Sequence, residues 1–406
     1  MRSMGREGAS TPSLDRATLS PTPNRRGGAM ARISAGRLMA VMVKEFIQMR
    51  RDRLTFAMMV GVPILQLILF GFAINSDPKA LPTAVLVADS SPFARTLVAA
   101  MENSRYFAIT RTASSEAEID RLLAEGEVQF AVTIPTGFAR DLQRGTRPVL
   151  LVEADATDPA ATGNALSALS TIARQALNPD LTGPLTGLRA GPDPVELRIH
   201  RRYNPEGITQ YNVVPGLMGV VLTMTMVMMT ALAVTRERER GTMENLLAMP
   251  VRPFEVMLGK IVPFVAVGYV QVLLIVVAAR LMFDVPIVGS LGLLSAVLIL
   301  FIAANLAVGF TFSTLARNQL QAMQMSFFFF LPSMLLSGFM FPFRGMPGWA
   351  QAVGELLPLT HFLRIVRGIL LKGNGLAEIA AEVLALLLFL TVVTVVALRR
   401  YRQTLD

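Results

Sequence analysis

The sequence predicts a polytopic α-helical membrane protein with six transmembrane helices and a mixed α/β extracytoplasmic domain inserted between helices 1 and 2. Of the 406 residues, 52% are hydrophobic and 17% charged, whereas a soluble domain carries about 25% charged residues. The apolar residues gather in runs of about twenty, the length of a helix that crosses a bilayer. The chain has no cysteine. Composition therefore excludes disulfide scaffolds, disordered chains and collagen-like chains.

The first 74 residues divide into three predicted segments. Residues 1–30 are rich in Ser, Thr, Pro, Gly and Arg without apolar periodicity, which predicts a disordered cytoplasmic tail; Met1 and Met30 are both candidate start sites. Residues 31–53 predict an amphipathic interfacial helix, because Leu38, Met42 and Phe46 recur at helical spacing opposite basic residues. A short solvated helix is the alternative. Residues 54–74 carry no charge and predict transmembrane helix 1.

Residues 75–211 predict an α/β domain. They contain thirteen basic and sixteen acidic residues and no long apolar run. Residues 83–88 and 149–152 are apolar on both faces, as in buried strands, and residues 128–134 alternate as in a half-buried strand. Residues 116–125 predict a helix that ends at Gly126, and residues 161–177 predict a second helix. Strands and helices alternate, so the domain is mixed.

Five further transmembrane helices are predicted within residues 212–402. Their intervals, from apolar length alone, are 212–235, 261–283, 291–314, 325–343 and 378–398. The connector 284–290 is short, so the helices on either side of it form an antiparallel pair. Residues 344–375 are less apolar and include Pro347 and Pro358. They predict an external interfacial or re-entrant segment and not a seventh span.

Positive charge predicts the orientation. Residues 1–53 hold eleven Lys or Arg, residues 236–260 hold five and residues 399–406 hold three, whereas the connector 284–290 holds none. Cytoplasmic loops are enriched in Lys and Arg. Both termini are therefore predicted to be cytoplasmic, and the 75–211 domain extracytoplasmic.

The loop of residues 236–260 combines helix signals with an unusual charge pattern. Residues 236–240 alternate in charge, Gly241 and Thr242 are a plausible helix start, and Glu244 lies where the helix dipole favours an acid. Pro250 ends that helix, and Pro253 can begin the next. Met243, Leu246 and Leu247 share an apolar face. This pattern fits either an ordinary interfacial connector or a docking element for a cytoplasmic partner.

The run ERERGTMENLL at residues 237–247, followed by Pro250, Glu255 and Gly259-Lys260, resembles the signature loop of ABC-2-type permeases, the membrane subunits of ATP-binding-cassette exporters. Residues 122–138 also resemble the helix–Gly–strand–Ile-Pro element of the larger bacterial members of that family. The resemblance covers all but the N-terminal tail. It implies that residues 237–250, here called the signature segment, contact an ATPase subunit. The implied contact residues are Glu237, Arg238, Glu239, Arg240, Gly241, Thr242, Glu244, Leu246, Leu247 and Pro250.

No catalytic or metal-binding residues are expected in this chain. It contains no G-x-x-x-x-G-K-[ST] motif for nucleotide phosphates, and its two histidines, His200 and His361, are far apart in sequence. ATP and Mg²⁺ are therefore expected in a partner ATPase subunit, so that the chain has no cofactor of its own. A second permease copy or a close relative, a periplasmic adaptor protein and membrane lipid are further expected partners. Nucleic acid is not an expected partner, because the sequence has no stripe of basic residues interleaved with aromatic residues.

Polar residues within the spans are candidates for a substrate pathway. Gln66, Gln271 and Asn305 lie within predicted helices; they suit either helix–helix hydrogen bonds or a pathway lining. Taken together, the sequence favours the permease subunit of an ATP-driven ABC exporter in a bacterial inner membrane, which moves amphipathic or hydrophobic, drug-like or lipid-like compounds outward. The alternative is a membrane signalling or scaffold protein with an outer sensing domain and a cytoplasmic docking loop.

Overall fold

The computed structural model describes residues 78–189, 193–239 and 253–403. The tail 1–30, the interfacial helix 31–53 and transmembrane helix 1 at 54–74 lie outside these residues, and so does most of the signature segment. The described residues form an α/β domain followed by a bundle of long apolar helices. The mixed α/β and helical classes that the sequence predicts are therefore confirmed.

The α/β domain is built on one mixed five-stranded sheet. Strands and helices alternate as β1 Leu81–Val87, α1 Pro92–Asn103, β2 Phe107–Thr112, α2 Glu116–Glu125, β3 Phe130–Ile134, α3 Phe138–Gln143, β4 Val149–Asp155, α4 Pro159–Gln175 and β5 Glu196–Arg202, with a 3₁₀ helix at Gly183–Arg189 before β5. The strand order is β2-β1-β3-β4-β5, in which only the β3–β4 pair is antiparallel. Apolar residues of β1 alternate between two cores: Leu81 and Val85 pack with α1 and α4, and Ala84 packs with α2. Both faces of the sheet are thus covered.

Local signals define the two predicted helices of this domain. Helix α2 spans the predicted residues; the Ser115 side chain accepts a hydrogen bond from the Glu118 amide, and Gly126 ends the helix with a φ of 74°. Helix α4 begins two residues before the predicted start. Its first helical residue is Pro159, and the side chain of Asp158 caps its N-terminus, so the local sequence extends the helix.

The helical bundle contains α5 Thr209–Glu239, α6 Pro253–Phe283, α7 Leu291–Leu315, α8 Gln319–Leu336, α9 Gly348–Gly354, α10 Pro358–Arg367 and α11 Leu376–Gln403. A 3₁₀ turn at Phe343–Gly345 precedes α9, and a π-helical turn at Gly368–Lys372 follows α10. Among the described residues, four helices are long and apolar enough to cross a membrane: α5, α6, α7 and α11. Each coincides with a predicted span.

The interval 325–343 differs from the observed helix. Helix α8 begins at Gln319 and ends at Leu336, followed by Gly338 with a φ of 82°. Gly338 stands where a helix commonly ends in a left-handed residue, so the apolar run continues past the end of the helix. The predicted end at residue 343 is therefore wrong, and the total of six spans stays a prediction.

Helix α10 packs inside the bundle. Its residues Leu359, Phe362 and Val366 are fully buried, and the Phe362 ring stacks on that of Phe301 from α7, with ring centroids 3.9 Å apart. A Cβ added to Gly219 of α5 would meet Leu359 Cδ1 at 2.7 Å, so the two helices approach closely. The apolar face of α10 is therefore buried against α5 and α7. The external interfacial or re-entrant position of residues 344–375 stays a prediction.

Candidate functional site

The ends of α5 and α6 bracket the signature segment. Helix α5 continues past the predicted span 212–235 to Glu239, and α6 begins at Pro253, as the sequence predicts, eight residues before the predicted span 261–283. A helical extension of eight residues is about 12 Å long. Residues 240–252, including Arg240, Gly241, Thr242, Glu244, Leu246, Leu247 and Pro250, lie outside the described residues. The structure thus describes the two helices that carry this segment.

Glu239 binds the first residue of α8. The Gln319 backbone amide donates to Glu239 Oε1 at 2.8 Å, and Gln319 Nε2 donates to Oε2 at 2.5 Å. The side-chain hydrogen bond from Gln319, followed by the one from its backbone amide, holds the pKa of Glu239 below its usual value. Arg236 Nε lies 3.5 Å from Gln319 Oε1. The start of the signature segment is therefore joined to the first residue of α8.

The connector before α8 is held by reciprocal capping bonds. Asn318 Oδ1 accepts from the Gln321 amide at 2.8 Å, and Gln321 Oε1 accepts from the Arg317 amide at 2.9 Å. Both bonds satisfy amides at a helix start that have no partner within the helix. Sequence reasoning missed this contact region, although Asn318 followed three residues later by Gln321 is a recognisable capping pattern.

The two described pathway candidates use different partners. Gln271 Oε1 of α6 accepts a hydrogen bond from Thr225 Oγ1 of α5 at 2.9 Å. Asn305 of α7 is fully buried and donates to the Phe301 carbonyl of its own helix, while its Oδ1 has no partner among the described residues. Gln66 lies outside those residues. Gln271 therefore bonds α6 to α5, and the pathway role of the three residues stays a prediction.

A buried ion pair joins the bundle to the α/β domain. Lys372 Nζ lies 2.6 Å from Asp155 Oδ2 at the end of β4, and the two side chains are 8% and 9% exposed. The same ammonium donates to the Leu123 carbonyl at 2.9 Å, and Asn374 Nδ2 donates to the Ala124 carbonyl at 2.9 Å. These carbonyls lie in the last turn of α2, where a helix favours cations.

Tyr203 borders this junction. Its ring centroid lies 5.1 Å from Lys372 Nζ. Burial, followed by the negative charge of Asp155, raises the pKa of Tyr203 to about 12. The phenol is therefore neutral over the physiological pH range and serves as an aromatic wall beside the ion pair.

A second charged cluster fixes the end of α10 to α11. The His361 Nδ1 atom is hydrogen bonded to Glu382 Oε2, and Nε2 bonds to the Glu355 carbonyl at 2.9 Å. Arg364 donates to Glu382 at 3.0 Å and to both Glu355 carboxylate oxygens at 2.5 and 3.1 Å. Within the described part of the chain, no group of His and acidic residues has the arrangement of a metal site. This cluster stabilises the bundle.

A cleft of about 190 Å³ separates the two charged clusters. The α/β domain contributes Gln129 and Asp158, and the bundle contributes Arg344, Arg367 and Glu378. Burial raises the pKa of the Asp158 carboxyl, although Arg367 opposes this shift. Sequence reasoning did not identify this cleft, because its walls come from five separate stretches of the chain.

Comparisons with a family model and with individual proteins indicate the same family. A family model described as ABC-2 family transporter protein matches residues 53–399. The Escherichia coli protein named probable multidrug ABC transporter permease YbhS is 30% identical over 365 residues, which cover 87% of this chain and 94% of that protein. The probable multidrug ABC transporter permease YbhR of the same organism is 27% identical, covering 84% of this chain and 91% of its own. Its inner membrane transport permease YhhJ is 32% identical, covering 71% and 76%.

Proposed function

This chain belongs to the ABC-2 family of transporter proteins, and on that premise we propose that it is the permease subunit of an ATP-driven exporter. Its substrates are amphipathic or hydrophobic compounds, drug-like or lipid-like, which it moves outward. The Escherichia coli relatives whose names contain "multidrug" support this substrate class.

The observation that carries the proposal is that α5 and α6 end on either side of the signature segment, at Glu239 and Pro253. Both helices extend beyond the predicted spans toward residues 240–252. Thr225 and Gln271 bond these two helices to each other within their apolar parts. A force applied to the signature segment would therefore act directly on two membrane helices. That is the mechanical requirement for coupling ATP hydrolysis in one subunit to movement in another.

ATP and Mg²⁺ belong to a separate ATPase subunit in this proposal. The chain's full sequence has no phosphate-binding loop. Converting a pathway from mostly inward-facing to mostly outward-facing requires about 5.5 kcal/mol of differential binding, which closure of the ATPase subunits on ATP would supply. The chain itself provides a docking surface and a pathway.

The proposed setting is a bacterial inner membrane with both termini in the cytoplasm and the α/β domain outside. Lipid or a second permease copy would cover the apolar side chains that α6 and α11 expose, among them Leu273, Leu274, Leu281, Leu384 and Leu388. Two copies, or this chain with a close relative, would surround a shared pathway. The external α/β domain is available to a periplasmic adaptor protein.

The proposal is tested at the apolar face of the signature segment. Leu247→Asp places a carboxylate where we expect a groove of the ATPase, and burying an unpaired polar or charged group costs several kcal/mol. We expect the mutant to insert normally but to lose co-purification with a co-expressed ABC ATPase subunit. Leu247→Met, which keeps the apolar character, is the matched control. If the Asp variant retains its ATPase, residues 237–250 are an interfacial connector and the signalling alternative gains support.

Orientation is tested by thiol labelling, since the chain has no cysteine of its own. A cysteine at Ser115 of the α/β domain should react with an impermeant thiol reagent in intact cells. A cysteine at Thr242 should react only after the membrane is opened. The reverse pattern would contradict the proposed topology.

A further inference from the structure

Gln319, which lies outside the signature segment, binds Glu239, a residue of that segment. Both carboxylate oxygens of Glu239 accept hydrogen bonds from Gln319, one from its backbone amide and one from its side chain. Hydrogen bonds to an ionised acceptor are shorter and stronger than neutral ones. Glu239 also lies at the N-terminus of α8, where the helix dipole favours a negative charge. Geometry and electrostatics therefore both hold Glu239 on Gln319.

The start of α8 is stiff enough to transmit a displacement. Two capping hydrogen bonds hold this turn: the Gln321 amide donates to Asn318, and the Arg317 amide donates to Gln321. A push or pull on Glu239 would therefore move the first turn of α8 as a unit and would not be absorbed by a loose loop.

The far end of α8 is fixed to α10. Both terminal nitrogens of Arg367 donate to the Gly338 carbonyl at 3.2 Å. A Cβ on Gly354 would meet the Leu336 carbonyl at 2.6 Å, so the chain packs tightly against the last turn of α8. Displacement of α8 would therefore reach α10, whose π-helical extension carries Lys372 to the α/β domain.

We propose that Gln319 is a positioning residue of the coupling apparatus, which clasps Glu239 and delivers movement of the signature segment to α8. The inference rests on the proposed function, in which residues 237–250 dock an ATPase. It adds a third helix, α8, to the two that carry the segment directly. It also assigns the connector before α8 to the coupling machinery.

The test places a reporter beyond the far end of α8. Met340 is 50% exposed, and Met340→Cys gives the chain a single thiol. The permease–ATPase complex, purified in detergent, is labelled with a fluorescent maleimide without nucleotide and with Mg·ATP plus vanadate. We expect the labelling rate to depend on nucleotide. A rate that nucleotide does not change would overturn the inference.

An exchange of side chains then tests the contact between Glu239 and Gln319, here called the clasp. Gln319→Glu opposes two carboxylates and should abolish the nucleotide-dependent difference in rate. Adding Glu239→Gln restores an amide–carboxylate pair with the roles reversed, and should restore the difference. If Gln319 only stabilised the start of α8, the change at Glu239 would not restore the difference in labelling rate. Gln319→Leu, which adds no charge, should give a partial loss because the backbone amide still donates.

The control on the same helix is Gln324→Leu, because Gln324 Oε1 has no partner among the described residues. It should leave the difference unchanged. A nucleotide-dependent rate that survives Gln319→Glu, or a double variant no better than Gln319→Glu, overturns the role of the clasp. Retention of the ATPase by Leu247→Asp overturns the docking premise instead, so the two failures are distinguishable.

Discussion

Replacing Lys372 by Met should release the α/β domain from the helical bundle. The substitution removes the ammonium that neutralises Asp155 and caps the last turn of α2 through the Leu123 carbonyl. Both side chains of the ion pair are less than one-tenth exposed. The Asp155 carboxylate would therefore be left buried without its counter-ion.

The free-energy cost of Lys372→Met depends on the hydrogen bonds that Asp155 keeps. Removing one partner of a buried ion pair costs about 3–5 kcal/mol. Asp155 Oδ1 still accepts hydrogen bonds from the Thr157 amide and hydroxyl, at 3.1 and 2.8 Å. The loss should therefore be near the lower limit, about 3 kcal/mol, which raises the population of the separated state about a hundredfold.

Thiol labelling inside the cleft measures this population. Gln129 lines the cleft, so Gln129→Cys in the otherwise cysteine-free chain should react mainly when the domain separates. The labelling rate should rise about a hundredfold with Lys372→Met. Arg198→Met is the control: the Arg198 side chain is 63% exposed and pairs with Glu196, and an exposed pair contributes about 0–1 kcal/mol.

The double variant Asp155→Asn/Lys372→Met completes the cycle. It removes both charges, so its labelling rate should lie closer to that of the parent than either single variant does. An unchanged rate in Lys372→Met would refute the reasoning, because it would mean that the ion pair does not hold the domain to the bundle.

Three further predictions concern packing, polar groups and pH. Gly309→Ala should lower the free energy of unfolding in detergent by about 1–3 kcal/mol, because its Cβ would meet the α5 backbone at 2.4 Å. At Gly163 of α4 a Cβ would meet nothing within 4 Å, so Gly163→Ala should raise the free energy of unfolding by about 0.5–1 kcal/mol. Gln271→Leu should cost about 0.6 kcal/mol through the lost bond between helices, while Asn305→Leu, which removes an unpartnered buried oxygen, should not destabilise; a large loss in the second would contradict this account. Since the pKa of Tyr203 rises to about 12 in the folded state from 10.0, its contribution to stability is present below pH 10 and is lost as pH rises toward 12; Tyr203→Phe should flatten that slope in alkaline unfolding curves.

Elements whose signals are local were predictable from the chain alone. Helix α2 ends at Gly126, α6 begins at Pro253, and four apolar runs coincide with helices able to cross a membrane. Caps, prolines and hydrophobic runs act over one or two helical turns, so they are readable without knowledge of the rest of the chain. The resemblance of residues 237–247 to a family motif likewise needed no coordinates.

How those elements meet was not predictable, because it depends on contacts between residues far apart in the chain. An apolar run does not reveal where its helix ends, so α8 stopped short of residue 343 at a left-handed glycine. Amphipathic spacing did not reveal that the apolar face of α10 is buried by α5 and α7. The Glu239–Gln319 clasp and the Lys372–Asp155 pair join residues 80 and 217 positions apart. Such partners are chosen by the packing of whole helices against one another, and no local pattern in the chain records that choice.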